Sequence, residues 1–149
     1  MTLEPLFHSP LAVRIHAATV VPAFFIGTWQ IFLSKKGARA HRVWGYLYLG
    51  LMTITAIAAL FIHQVMPKSP LFGLSPIHIF VPLTLFGVVS ALYNAWRHNV
   101  RAHRGAMLGT YVGGLLIAGT LAFMPGRIMH TVAFGKPAPA APPAQASIR

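Results

Sequence analysis

The chain has 149 residues, of which 56% are hydrophobic and 9% are charged, and its net charge is +11. A soluble domain of this size cannot bury that much apolar surface, so the composition excludes an ordinary water-soluble globular protein. The positive charge does not indicate nucleic-acid binding, because seven of the twelve Lys and Arg residues lie in two short segments between apolar runs. Cysteine is absent and Glu4 is the only carboxylate residue, so thiol and paired-carboxylate catalysis are excluded. We assign no catalytic residue and do not expect an independent enzyme.

Four long segments contain no charged residue, and each matches the roughly 20 helical residues that cross a hydrocarbon core. In chain order they predict transmembrane helices at about 11–33, 42–63, 76–96 and 105–124, within one membrane domain of residues 1–130. Residues 131–149 are rich in Ala and Pro and are predicted to be a disordered tail. The basic loops follow helices one and three, which predicts a bacterial inner-membrane protein with these loops in the cytoplasm and both termini outside.

Two further patterns concern the helix surfaces. Aromatic residues gather at the predicted cytoplasmic ends and are typical of an interfacial belt: Trp29, Trp44, Tyr46, Tyr48, Tyr93 and Trp96. Helix four carries Gly105, Gly109 and Gly113 at a spacing of four, which lets helix backbones approach closely. This row predicts packing inside the bundle or, alternatively, room for a flat ring such as a porphyrin or quinone. It also suits a dimer or a larger membrane complex as partner.

An internal repeat is the most informative feature of the chain. The segment Arg39-Ala40-His41-Arg42 recurs as Arg101-Ala102-His103-Arg104, an offset of 62 (101 − 39), and Ile15-His16 recurs as Ile77-His78 at the same offset. Each copy contains two helices, so both copies should insert with the same polarity and be related by a pseudo-twofold axis along the membrane normal. The repeat therefore predicts an all-α fold, a four-helix transmembrane bundle made of two tandem hairpins.

This symmetry pairs four histidines at two depths. His16 and His78 should lie at matched heights near the outer face, and His41 and His103 near the inner face. Neutral imidazole binds haem iron, and helical bundles build cofactor sites from side chains on facing helices. The leading interpretation is a membrane electron-transfer subunit associated with haem b, with these four histidines as candidate ligands and no other metal. The alternative is that they are interfacial residues that hydrogen-bond or cap helices.

The repeated segments also favour anions. Each lies at the start of a helix, where free N–H groups and the helix dipole attract negative charge. The guanidinium groups of Arg39, Arg42, Arg101 and Arg104 add charge and bidentate geometry. The second functional interpretation is therefore a non-enzymatic accessory subunit that binds anionic lipid of the bilayer or packs against a partner complex.

Several motifs carry a resemblance to a known family. The stretch His41-Arg42-Val43-Trp44-Gly45-Tyr46-Leu47-Tyr48 opens helix two, and His103-Arg104-Gly105-Ala106-Met107, followed by Tyr111, opens helix four. With His16, they resemble a bacterial family of predicted membrane proteins, domain of unknown function 2306, over roughly Leu11 to Arg127. The resemblance implies a small helical membrane protein without a settled activity. A fainter similarity is to four-helix cytochromes of the b-561 and ferric-reductase type.

Overall fold

The computed structural model describes residues 9–62 and 76–124, together with residues 130 and 134. Within this part of the chain all the regular elements are helices, so the predicted all-α architecture is confirmed. Four helices are present: α1 (Leu11–Phe32), α2 (Arg39–Leu60), α3 (Phe80–Trp96) and α4 (Val100–Ala122). One 3-10 turn, Pro76–Ile79, precedes α3. The predicted tail beyond residue 130 and the loop between α2 and the 3-10 turn lie outside the described residues, apart from residue 134.

Length and apolar composition suit these helices to a membrane. Helices α1, α2 and α4 are each long and apolar enough to cross one, and α3 is shorter, with 17 residues. The preceding 3-10 turn extends α3, because 17 residues at 1.5 Å and four at 2.0 Å give a length of roughly 33 Å. Large apolar side chains point outward, including Phe25, Phe86 and Val89, which are 66%, 72% and 65% exposed. Such surfaces are stable in lipid, where hydrocarbon replaces water as solvent.

Neighbouring helices run antiparallel through short connections. Gln30 near the end of α1 contacts the start of α2 at His41, whereas His16 near the start of α1 contacts Thr55. The connection of residues 97–99 turns α3 back along α4 in the same way. The α1–α2 and α3–α4 connections therefore lie at the same end of the bundle. We call this end, comprising residues 33–42 and 97–104, the basic end, because seven Lys and Arg residues belong to it.

Helices α2 and α4 begin earlier than their apolar runs indicate. Their predicted starts were about residues 42 and 105, but the helices start at Arg39 and Val100. At α4 the side chain of Asn99 accepts a hydrogen bond from the Ala102 N–H at 3.1 Å, which caps the helix. Both repeated Arg-Ala-His-Arg segments therefore lie within the first turns of their helices, and their histidines have helical geometry.

The basic end is also closed by caps on the preceding helices. Lys36 Nζ donates to the carbonyl oxygens of Gln30, Ile31 and Ser34 at 2.6, 2.9 and 3.1 Å. A cation suits a helix C-terminus, where the last carbonyls have no helical partner. At the end of α3, His98 takes a left-handed conformation with φ 54°, and the following Asn99 N–H bonds the Asn94 carbonyl. This pattern is a Schellman cap.

The core lies between the helices near the middle of the bundle. Its buried side chains include two tyrosines, one methionine and small or branched residues: Ala23, Tyr48, Leu49, Met52, Val88, Ala91, Tyr111 and Leu115. Tyr48 is 0% exposed, so its prediction as part of an interfacial belt is wrong. It points into the bundle because it follows His41 by seven residues, two helical turns, on the face that packs against α1. Trp44, Tyr46, Tyr93 and Trp96 of the same predicted belt are exposed.

Close helix packing depends on glycines outside the row of Gly105, Gly109 and Gly113. A Cβ on Gly27 would lie 2.8 Å from the rings of both Tyr48 and Tyr111, and one on Gly114 would lie 2.8 Å from Thr84 Oγ1. Gly87 likewise meets the side chain of Thr110. A Cβ on Gly105 or Gly109, by contrast, would have no neighbouring atom within 4 Å among the described residues. The packing expected of that row inside the bundle is therefore provided elsewhere.

Helix α4 is irregular in its middle. Residues Thr110–Ile117 form a π-helix, and the Ala118 N–H continues its wider turn by bonding the carbonyl of Gly113. Such segments are rare and often occur at functional sites. Thr110, Tyr111 and Leu115 within it are buried. The π-helix thus presents its polar and aromatic side chains to α1 and α3.

Candidate functional site

His41 is fixed in one tautomer by its neighbours. Its Nδ1 lies 2.9 Å from Ser34 Oγ, and the same hydroxyl donates to the Gln30 carbonyl at 2.9 Å. A serine hydroxyl has a single hydrogen, so His41 Nδ1 must be the donor to Ser34. In the neutral ring, Nε2 then carries the lone pair. Among the described residues this nitrogen has no hydrogen-bond partner, so it is the atom that can bind a metal.

His103 is held in the same tautomer by a different hydrogen bond. Its Nδ1 lies 2.9 Å from the carbonyl oxygen of Ala91 on α3. A carbonyl only accepts, so Nδ1 carries the hydrogen and Nε2 of the neutral ring carries the lone pair. His103 also lies close enough to His41 for the two side chains to interact electrostatically. The two basic-end histidines that the repeat pairs are therefore linked by an electrostatic interaction.

The other two predicted histidines are held separately. His16 Nδ1 bonds the Thr55 carbonyl at 3.0 Å, whereas His78 Nε2 bonds the Ile62 carbonyl at 3.2 Å. These carbonyls are seven residues apart, about 10 Å at the helical rise of 1.5 Å per residue. The two rings also use different nitrogens. His16 is thus anchored at Thr55 within α2, and His78 at Ile62 just beyond the end of α2.

The predicted anion-binding residues lie in the same two segments as His41 and His103. Arg39, Arg42, Arg101 and Arg104 are all exposed at the basic end. Glu4, the only acidic residue, lies outside the described residues, so no side-chain carboxylate in the described part neutralises these cations. Lys36 adds a further charge beside His41. This end therefore presents a concentrated positive surface to any anion.

The residues present fit one kind of metal centre better than others. No group of three or more His, Cys, Asp or Glu gathers within the described residues, so a site made only of protein ligands, such as tetrahedral zinc, has too few. Haem iron needs only one or two axial ligands, because the porphyrin supplies four nitrogens. The Nε2 atoms of His41 and His103 have no hydrogen-bond partner among the described residues, and each Nδ1 bonds an oxygen, as is usual for metal-binding histidines.

Sequence reasoning missed a polar group deeper in the bundle. The Tyr111 hydroxyl lies 2.6 Å from Thr28 Oγ1, and Gln30 Nε2 donates to the His41 carbonyl at 2.7 Å. Gln30 is 2% exposed and Tyr48 is fully buried. The available signal was the spacing of seven between His41 and Tyr48, which places both on one helical face. Gln30, a lone amide in an apolar run, was a second signal.

The comparisons with known proteins agree with this architecture. A family model described as "Predicted membrane protein (DUF2306)" matches residues 13–140, most of the chain. No curated protein and no solved structure matches. The family description gives the membrane character without an activity. The chain belongs to the DUF2306 family of predicted membrane proteins.

Proposed function

We propose that this protein is a membrane electron-transfer subunit that holds haem b between His41 and His103. The observation that carries the proposal is that both imidazole rings are held in the same tautomer. In the neutral rings, the hydrogen bonds of both Nδ1 atoms leave the lone pair on Nε2, and an electrostatic interaction links the two side chains. When bound, the haem would supply one-electron chemistry. Ser34 and the Ala91 carbonyl would hold the two imidazoles in the tautomer that binds iron.

Charge at the basic end supports the same proposal. Haem carries two propionates, and guanidinium groups bind carboxylates through paired hydrogen bonds. Arg42 and Arg104 each directly follow a candidate histidine ligand. Arg39 and Arg101 each precede that histidine by two residues. If the two hairpins are copies of one ancestral unit, as the repeat indicates, each copy contributes one ligand and one pair of arginines. The proposed site is then itself twofold.

The visible spectrum of the full chain, purified in detergent after expression with adequate haem, tests this proposal. We expect a Soret band and a reduced α-band typical of b-type haem in the wild type. Replacing His41 or His103 by Ala should abolish or shift these bands. The matched control is the variant in which both His16 and His78 are replaced by Ala, which should keep them. A colourless wild-type protein that is fully folded would end the proposal, and loss of the bands only in the control would move the ligands to the opposite end.

The location of the basic end is also part of the proposal. We place the protein in a bacterial inner membrane, with the basic end in the cytoplasm and both termini outside, because cytoplasmic loops are enriched in Lys and Arg. Reporter fusions after Gly37 and Asn99 should give cytoplasmic signals, and a fusion at the C-terminus should give an external one. Cytoplasmic signal from the C-terminal fusion would contradict the orientation.

A second function, an accessory subunit that binds anionic lipid, is favoured by a different observation. Four exposed arginines lie in the first turns of α2 and α4. They have no carboxylate partner among the described residues. The open face at Gly105 and Gly109 would serve contact with a second copy or a larger complex. Retention of cardiolipin or phosphatidylglycerol in native mass spectrometry, lost when Arg39 and Arg101 become Gln, would support it. Equal retention of a zwitterionic lipid would contradict it.

A further inference from the structure

Two polar atoms in the middle of the bundle have no hydrogen-bond partner among the described residues. They are the hydroxyl oxygen of Tyr48 and Oε1 of Gln30. The two residues are 0% and 2% exposed, so bulk water does not reach them. A buried polar group without a partner is costly, and natural proteins almost always satisfy it with protein or ordered water. The pair therefore points to something that bonds both atoms.

Both atoms belong to one short stretch of the α1–α2 interface. The Tyr48 ring lies 2.8 Å from the Cβ position of Gly27, and Gln30 Nε2 lies 3.2 Å from that of Gly45. Gly27 and Gln30 are one turn apart on α1, as are Gly45 and Tyr48 on α2. Side chains lean toward the N-terminus of their own helix, and these helices are antiparallel. Tyr48 thus leans toward the basic end and Gln30 leans away from it, so their polar ends converge.

The third group in this stretch is Tyr111. Its ring lies 2.8 Å from the same Gly27 Cβ position, on the α4 side. Its hydroxyl is 2.6 Å from Thr28 Oγ1, which donates to the Phe24 carbonyl at 2.7 Å. Because that bond uses the single hydrogen of Thr28, the Tyr111 hydroxyl must donate to Thr28. Tyr111 is buried, and its oxygen is then left with acceptor capacity.

These three groups offer one donor and two acceptors. The donor is the Tyr48 hydroxyl, and the acceptors are Gln30 Oε1 and the Tyr111 oxygen. We propose that Tyr48, Gln30 and Tyr111 form a binding site for a single water molecule between α1, α2 and α4. Such a water accepts one hydrogen bond and donates two, which matches the set and the usual number of bonds to a buried water. All three partners are neutral, so a neutral ligand is favoured over an ion.

The site has a structural consequence that does not depend on haem. Gln30 Nε2 already bonds the carbonyl of His41, so the water extends this contact to both tyrosines. It joins three helices at the level of Gly27, whose missing side chain leaves room for both tyrosine rings. The α4 contribution comes from the start of the π-helix, which holds Tyr111 against α1.

Infrared spectroscopy of the full chain in lipid tests the proposal directly. An isolated buried water gives a sharp O–H stretching band that shifts when the solvent contains oxygen-18, whereas a tyrosine O–H band does not. We expect such a band in the wild type, its loss in Gln30→Met and its loss or shift in Tyr48→Phe. The matched control is Tyr46→Phe, on the exposed side of α2, which should leave the band unchanged.

A crystal structure of the wild type in lipidic mesophase gives a second, variant-independent readout. We expect one ordered water within hydrogen-bonding distance of all three oxygens. A direct bond between the Tyr48 hydroxyl and Gln30 Oε1, or no density there in a map with other ordered waters, would overturn the site. A haem-free preparation serves equally well, so failure of the electron-transfer proposal would leave this result unaffected.

Discussion

Each end of the bundle carries one pair of repeated histidines, but the backbone around the two pairs differs. At the basic end, His41 and His103 lie in the first turns of α2 and α4, after short connections, and interact electrostatically. At the opposite end, His16 lies inside α1, whereas His78 lies in the 3-10 turn before α3. A repeat in sequence therefore gives equivalent positions only where the local backbone of both copies is also the same.

Proline explains part of this difference. Pro82 lies in the first turn of α3 and has no N–H, so it cannot donate to the carbonyl of His78. The residues before it form a tighter 3-10 turn, which changes both the rise and the direction of the His78 side chain. Its repeat counterpart at position 20 is Val20, within a continuous helix. The proline in α1, Pro22, occupies a different register, so the two copies begin differently.

The largest expected effect comes from the contact that joins the two halves of the bundle. Gly27→Leu would place a side chain where the rings of Tyr48 and Tyr111 already lie 2.8 Å from a Cβ. Overpacking costs about 1–3 kcal/mol for added methylenes, and more here because two rings must move. We expect the largest loss of thermal stability in detergent for this variant. Gly105→Leu at the basic end, where the Cβ position is open, should change it little.

The next largest effect is expected for the N-cap of α4. Asn99→Ala removes the side-chain bond to the Ala102 N–H and should destabilise the protein by about 1 kcal/mol. Thermal unfolding of the variant in detergent measures this loss. Asn94→Ala, an amide in α3 with bonds only to Ser90, is the comparison, and an equal or larger loss there would contradict the capping role.

A similar magnitude is expected for the cap of α1. Lys36→Ala removes three hydrogen bonds to terminal carbonyls and a favourable interaction with the helix dipole, so roughly 0.5–1 kcal/mol should be lost. Lys35→Ala removes the same charge from the same connection and has no such bonds among the described residues. Equal stability of the two variants would show that net charge, and not capping, is responsible.

The smallest effect is a gain. Helix α2 has Ala38 as its N-cap, without a side-chain hydrogen bond, whereas α4 has Asn99. Ala38→Asn should supply the missing bond and raise stability by about 0.5 kcal/mol, which makes the two repeats more alike. Hydrogen exchange of the first amides of α2 measures the gain locally. Unchanged protection of those amides would mean that another group already serves them.

Much of the fold follows from the sequence, because charge-free length and loop charge are strong signals in membrane proteins. They predict four helices and the basic end. The repeat predicts the proximity of His41 and His103. Helix starts were placed too late because hydropathy marks the edge of the apolar run, whereas the helix continues to its cap at Asn99. The burial of Tyr48 was missed because aromatic composition near a membrane face does not distinguish lipid-facing from core-facing positions.

The polar middle of the bundle is harder to predict for a related reason. Gln30, Thr28 and Tyr111 are single polar residues in apolar segments, and their meeting depends on the packing of α1 against α4. The π-helix has no strong local signal either. Gly113 and Gly114 suggest flexibility, but the choice between a turn of 3.6 residues and a wider one depends on the neighbours of Tyr111.

The π-helix of α4 also has an evolutionary consequence. A wider turn accommodates one surplus residue without rotating the helix on either side of it. Deleting Gly113 should therefore restore regular α-geometry while residues beyond it keep their facing, so the shortened chain still folds. The same deletion in the middle of α1 would rotate one half of that helix by about 100° against the other. Natural length variation among relatives should accordingly concentrate at this point of α4.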